Sequence, residues 1–206
     1  MAKLIAVMGE KGGTGKSTLS HLIGHGCGSL PRPIDCAVIT TDPGDTPITG
    51  NRRYLPVDGR DPAALAKALE TLDRQERLLI VLDGAAARTH VDKVAADLAD
   101  LIILPFAASY QDAQRAARDM DRLPKAVALP NRWPTHPAVA ARAQQFLDML
   151  PADRRLPPVP QLPRTDELLS PDAYSRLATA LARPAQALVL DLLYRLHIHP
   201  LDLAAQ

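Results

Sequence analysis

The sequence predicts an α/β fold: a single domain with a mostly parallel, twisted sheet and helices on both faces. Three observations carry this. Short apolar runs alternate with helix-like segments, the pattern of strands joined by crossover helices. Runs such as Leu78-Leu79-Ile80-Val81-Leu82 are apolar without alternation, as strands covered on both faces must be. A glycine-rich stretch, Gly9 to Thr18, separates the first apolar run from the first helix-like segment.

The strands are expected, in order, at residues 3–8, 37–41, 78–83, 101–106 and 126–129. A sixth near Pro158–Pro160 is expected to be an edge strand or a loop, because proline cannot donate to a ladder. Helix signals fall between them. Asp61-Pro62 is an N-cap followed by proline at the first helical position, opening a helix over 63–72. Ser109 or Asp112 caps 113–123, and Thr135-His136-Pro137 opens 138–150. Pro171-Asp172 leads into a long apolar-periodic stretch, 173–196, with a possible break at Pro184. The proline-rich segment 151–171 is expected to be an ordered surface loop, and the tail after about His197 to be frayed.

At 206 residues the chain suffices for one well-buried domain spanning 1–206. Aromatics make up only 3%, so the core must be mainly aliphatic. The formal net charge of +1 points to neither a nucleic-acid nor a membrane partner. Cys27 and Cys36 fit no metal-ligand spacing and make no disulfide framework, which suits a reduced, cytoplasmic compartment. No signal region and no membrane-length apolar run is visible.

The stretch Gly9-Glu10-Lys11-Gly12-Gly13-Thr14-Gly15-Lys16-Ser17-Thr18 carries the chemistry. It fits the phosphate-loop pattern with one shift, Gly9 and Gly15 standing as the pattern glycines. Glycines let the backbone wrap closely around a phosphate chain, and the following helix offers the positive end of its dipole. Lys16 is placed to reach the β- and γ-phosphates, and the Ser17 hydroxyl to sit on Mg²⁺. The expected ligands are therefore a nucleoside triphosphate and Mg²⁺, with Gly12, Gly13, Thr14, Gly15, Lys16, Ser17 and Thr18 in contact with the nucleotide.

Two expected strands end in aspartate. Asp83 closes 78–83 in the manner of a magnesium-holding aspartate, and Asp42 follows Val38-Ile39-Thr40-Thr41. Lys11 is more discriminating. The ordinary loop does not need it, and it puts a second cation at the loop's outer side, in reach of a nucleotide held by a facing subunit.

With that lysine, Lys11 to Thr18 resembles the deviant phosphate-loop motif of the ParA/MinD family of ATPases, closest to the small ParA-type partition proteins. The resemblance covers roughly residues 1–165 in ordered blocks. It implies the P-loop NTPase fold, ATP and Mg²⁺ as ligands, and a homodimer sandwiching two ATP molecules with Lys11 as the signature lysine. Asp42 matches the aspartate that positions the attacking water, while Thr40 and Gly44 depart from the family's string, which bears on the rate. Lys11, Lys16 and Asp42 are thus the expected catalytic set, and Ser17, Asp42 and Asp83 the expected metal set. The small residues and Arg88 after Asp83 continue the likeness, as does Asp100 to Asp112. Asn131 stands where the family contacts the adenine edge, with Arg132 after it.

The resemblance further implies slow ATP hydrolysis stimulated by a small partner protein, and nonspecific DNA binding that partitions a plasmid or other cargo, with nucleoid association. Between Arg115 and Arg164 there are nine Lys and Arg against four Asp and Glu, a local excess of +5 that suits phosphate contacts. The segment 188–196 is apolar but poor in lysine and arginine, which favours DNA over membrane. The alternatives are a relative that assists conjugative transfer or positions a protein cargo, and an ATP-binding module with little turnover. A reductase on this scaffold is disfavoured because both cysteines lie too early.

Overall fold

The computed structural model describes residues 2–9, 11–44, 48, 52–84, 90–170 and 179–203. The elements run β1 (Lys3–Val7), α1 (Lys16–Cys27), β2 (Asp35–Thr40), β3 (Leu55–Asp58), α2 (Pro62–Asp73), β4 (Leu78–Asp83) and α3 (His90–Leu98). They continue with β5 (Leu101–Phe106), α4 (Tyr110–Arg122), β6 (Ala126–Pro130), α5 (Pro137–Leu147), a 3₁₀ turn (Ala152–Arg154), α6 (Asp166–Leu169), α7 (Thr179–Arg195) and α8 (Pro200–Leu203). The six strands form one sheet in the order β3-β2-β4-β1-β5-β6, every pairing parallel.

Strand periodicity divides the core between two faces. Ile5 and Val7 of β1 join an aliphatic cluster with α1, α6 and α7, while Leu4 and Ala6 join a second cluster with α2, α3, α4 and α5. The sheet is thus covered on both sides, which is why β4 and β5 are buried at every position. The register pairs Val7 and Thr40 with Asp83, so β1, β2 and β4 finish level at one edge.

Local chemistry explains most boundaries. Asp61 caps α2 by accepting from the Ala64 N–H at 2.8 Å, with Pro62 at the first turn. Of the two candidates for α4, Ser109 is the cap, accepting from the Asp112 N–H at 3.2 Å. β1 ends at Val7, with the Met8 N–H donating the last ladder bond to the Ile103 carbonyl at 2.9 Å. Four elements were not expected: β3, α3, α6 within the segment 151–171 expected to be a loop, and α8 in the tail expected to be frayed. β3 is a short, partly exposed edge strand in which Pro56 costs no ladder bond on the free side. α3 is a nine-residue helix whose apolar stripe is too brief to stand out.

Residues 158–160 make only an isolated bridge between Trp133 and Pro160, so they form a loop rather than a strand. α7 continues through Pro184 because Leu181, Ala185, Leu188 and Val189 seat it on the core on both sides of the proline. The tail is helical over α8, where Pro200 sets the first turn. The Pro171-Asp172 helix start, residues 173–178, Asp45 and Arg88 lie outside the described residues.

Candidate functional site

β1 delivers the chain to the glycine-rich loop at the level edge of the sheet, and α1 carries it away. Gly13 and Gly15 take left-handed φ values of +78° and +89°. At Gly15 a side chain is excluded twice, since a Cβ would also lie 2.4 Å from the Asn131 Nδ2. Gly15 is the N-cap of α1, and no side chain caps that terminus, nor does an acidic residue occupy its first turn. The first amides and the dipole of α1 therefore face the loop without a competing anion.

Lys16 is nearly buried, and its ammonium folds back to donate to the Lys11 carbonyl at 3.1 Å. Lys11 behaves differently. Its side chain is 49% exposed, and its Nζ meets both oxygens of Asp112 on α4, at 2.9 and 3.1 Å. Arg115 approaches the same carboxylate at 3.3 Å. Two cations thus leave the loop in opposite senses, one curled over it and one held at its rim.

Asp83 is buried at the end of β4, and its Oδ1 lies 3.2 Å from the Ser20 hydroxyl, which also donates to the Lys16 carbonyl at 3.0 Å. Ser20 sits one turn after Lys16 and ties the Asp83 carboxylate to α1. Thr41 closes the other side, its hydroxyl and its N–H both donating to the Asp83 carbonyl. Asp42 stands just beyond β2, partly exposed, where its Oδ1 accepts from the Gly44 N–H at 2.9 Å and begins a turn. Ser17 and Thr18, both partly exposed, open the first turn of α1. Ser17, Asp42 and Asp83 supply hydroxyl and carboxylate oxygens at one edge of the sheet, the hard donors that Mg²⁺ takes; it uses few protein ligands, the rest being water and phosphate.

Asn131 and Arg132 follow β6 and grip the loop from its far side. The Asn131 Nδ2 donates to the Thr14 carbonyl at 2.8 Å, and the Arg132 guanidinium donates to the Gly13 carbonyl at 3.0 Å. Beside them opens a cavity of about 230 Å³ between Thr18 and Leu22 of α1 and the segment Pro160–Leu162. The structure therefore brings Thr18, Asn131 and Arg132 around one recess beside the loop, with Asp42 and Asp83 at the same sheet edge.

Three contributors were missed in the sequence. Asp112 entered as a possible helix cap and as the end of the family-like segment from Asp100, and its contact with Lys11 joins residues 101 positions apart. Ser20 had a signal, the one-turn spacing from Lys16, and Thr41 had one in its place beside Asp42. The basic excess between 115 and 164 also changes meaning. Arg154 donates to the Met120, Leu123 and Ala126 carbonyls, Lys125 to those of Asp97 and Ala99, and Arg155 to that of Leu147. These cations satisfy helix C-termini, which the count alone cannot distinguish from a phosphate-binding surface. Arg122 and Arg142 stay exposed and without an ion-pair partner among the described residues.

No family model matches the sequence, and no curated protein does. Solved structures do match. A ParA family ATPase from Chlorobium tepidum superposes with a TM-score of 0.67 at 15% identity, covering 93% of this chain and 98% of that one. The cell division protein MinD of Aquifex aeolicus gives 0.65 at 16%, covering 91% and 96%. A cobyrinic acid a,c-diamide synthase from Mycobacterium smegmatis, with bound ADP and magnesium, gives 0.60 at 19%, covering 95% and 96%. The chain has the fold of the ParA/MinD-type P-loop ATPases, a fold that this synthase shares. Among the described residues, no helix is long and apolar enough to cross a membrane.

Proposed function

We propose that this chain is an ATP-dependent dimerising switch of the ParA/MinD type, which hydrolyses ATP slowly. The fold serves switches and synthases alike, so the observation that carries the reading is the placement of Lys11. A half-exposed ammonium at the rim of the loop, paired among the described residues with Asp112, is poised to exchange that carboxylate for the phosphate of a facing subunit. Asp112 is itself buried, and Arg115 at 3.3 Å remains beside its carboxylate when Lys11 leaves.

The remaining roles follow from chemistry. The loop amides and Lys16 hold the phosphates, and Ser17, Asp42 and Asp83 are the residues that would hold Mg²⁺. When bound, the ion neutralises charge on the phosphates. Asp42 orients the attacking water. Asn131 keeps one Nδ2 hydrogen on the Thr14 carbonyl, which leaves its second N–H as a donor and its Oδ1 as an acceptor for the adenine edge.

The task is partition or positioning of a cargo, with hydrolysis triggered by a small partner protein and nonspecific DNA as the track. The exposed Arg122 and Arg142 are the residues for DNA, since other arginines of that region serve helix ends. Conjugative transfer is a further setting for the same switch. A second reading, ATP binding without turnover, is favoured by Thr40 and by the turn that engages Asp42.

Nucleotide binding and turnover, measured with and without duplex DNA, test the proposal. ATP is expected to bind and to be hydrolysed slowly, faster with DNA or a partner. Lys16→Ala should abolish binding, while Asp42→Ala should bind and not hydrolyse. Equal, negligible turnover in wild type and Asp42→Ala would leave the module without turnover; binding undiminished in Lys16→Ala would refute the site.

A further inference from the structure

A second feature lies away from the loop. Between α2 and α3 an open groove of about 530 Å³ runs over the sheet, whose residues beneath it stay buried. Leu4 of β1 and Ile80 of β4 form its floor, Leu69 one wall, and Val94 and Leu98 the other. Val94 and Leu98 are one helical turn apart and remain 42% and 56% exposed, unusual for two neighbouring aliphatics that border a core. The rim is acidic. Glu70, Asp73 and Asp100 line it against one lysine, Lys3, which Asp100 already holds at 2.9 Å. Glu70 is met by Arg74 on its own helix, and Asp73 has no ion-pair partner among the described residues.

Topology decides when this groove is available. Ala2 and Lys3 begin β1 and Asp100 precedes β5, so the groove opens toward the edge of the parallel sheet opposite the glycine-rich loop. Two copies clasped at the loop edge would leave it uncovered.

We propose that this groove is a docking site for a helical segment of a partner protein, with an apolar stripe flanked by lysine or arginine. Aliphatic walls one helical turn apart accept side chains at i, i+3/i+4 and i+7, and the uncompensated Asp73 carboxylate selects a cationic flank. In the switch proposed above this is the cargo's handle, held in either nucleotide state because it lies off the dimer face.

The test uses the full chain and two labelled helical peptides of about 18 residues, long enough to hold some helix. One carries leucines at helical spacing flanked by lysines; its twin carries glutamates instead. Fluorescence anisotropy should show the lysine peptide binding about tenfold tighter than its twin, the preference shrinking with added salt. Leu98→Glu should abolish binding, and Asp73→Lys should erase the preference while leaving the apolar contribution. Leu190→Glu, on the exposed face of α7, should change nothing, and thermal melts establish that each variant folds. Failure of both peptides to bind, equal binding of the twins, or wild-type binding by Leu98→Glu would overturn the proposal. So would a nucleotide-independent dimer lost in Leu98→Glu, which would make a second copy the occupant. None of these outcomes touches ATP binding, which is read separately.

Discussion

Lys11 and Lys16 are five residues apart, and the loop between them sends them to different work. Lys16 is nearly buried and stabilises the loop it will use, whereas Lys11 rests on a carboxylate outside it. The spacing of both lysines was legible because a phosphate cradle requires fixed offsets along one turn of chain. Asp112 was not, because only the packing of α4 beside β5 brings it to the loop. The same holds for the grip of Asn131 on Thr14, which sequence reading had assigned to the base alone. Gly15 is where the two kinds of information meet. Gly15→Ala would incur about 1–2 kcal/mol of left-handed strain and push Asn131 off the loop. Calorimetry should show a lower melting temperature and weakened ATP affinity together; loss of neither would mean the loop does not depend on this contact.

At the scale of elements, what could be read was whatever a short window contains. β4 and β5 were legible end to end because both faces are buried and the runs are unbroken. The starts of α2 and α5 were legible because an N-cap and a proline are local signals. β3 was not, since an edge strand with a proline and mixed exposure carries no period, and its place depends on β2. The arginines were misleading for the same reason: composition shows a charge and not the carbonyl it meets. Arg154 spans three carbonyls at the end of α4 and before β6. Arg154→Ala should cost about 1–3 kcal/mol through those unsatisfied acceptors, seen as a lower urea midpoint with unchanged affinity for DNA. Weakened DNA binding at unchanged stability would restore it to the phosphate-contact set.

For the whole molecule, α1 transmits the loop to the core, and its buried face holds a polar cluster. The His21 Nδ1 lies 2.6 Å from the Tyr54 hydroxyl, and Arg52 bridges His25 and the Leu168 carbonyl. Burial first, then the Arg52 charge, hold His21 down to about 3 and His25 to about 4, against an ordinary 6.5. Both are neutral in the fold, while an unfolded chain takes up protons below 6.5. Their contribution is therefore complete above that pH and is lost as pH falls from 6.5 toward 4 and 3. Urea midpoints should decline from about pH 7 to 5, less steeply in His21→Gln; a flat profile would contradict the burial of both rings. The proposed assembly acts at the opposite end of α1, at the loop edge.

Light scattering of wild type and Lys11→Ala with a nonhydrolysable ATP analogue tests that assembly most directly. Wild type should double in mass with the analogue and not with ADP, and Lys11→Ala should bind the analogue yet remain single. A Lys11→Ala chain that doubles like wild type, or a wild type that binds the analogue and never doubles, would contradict the handover of that ammonium between subunits.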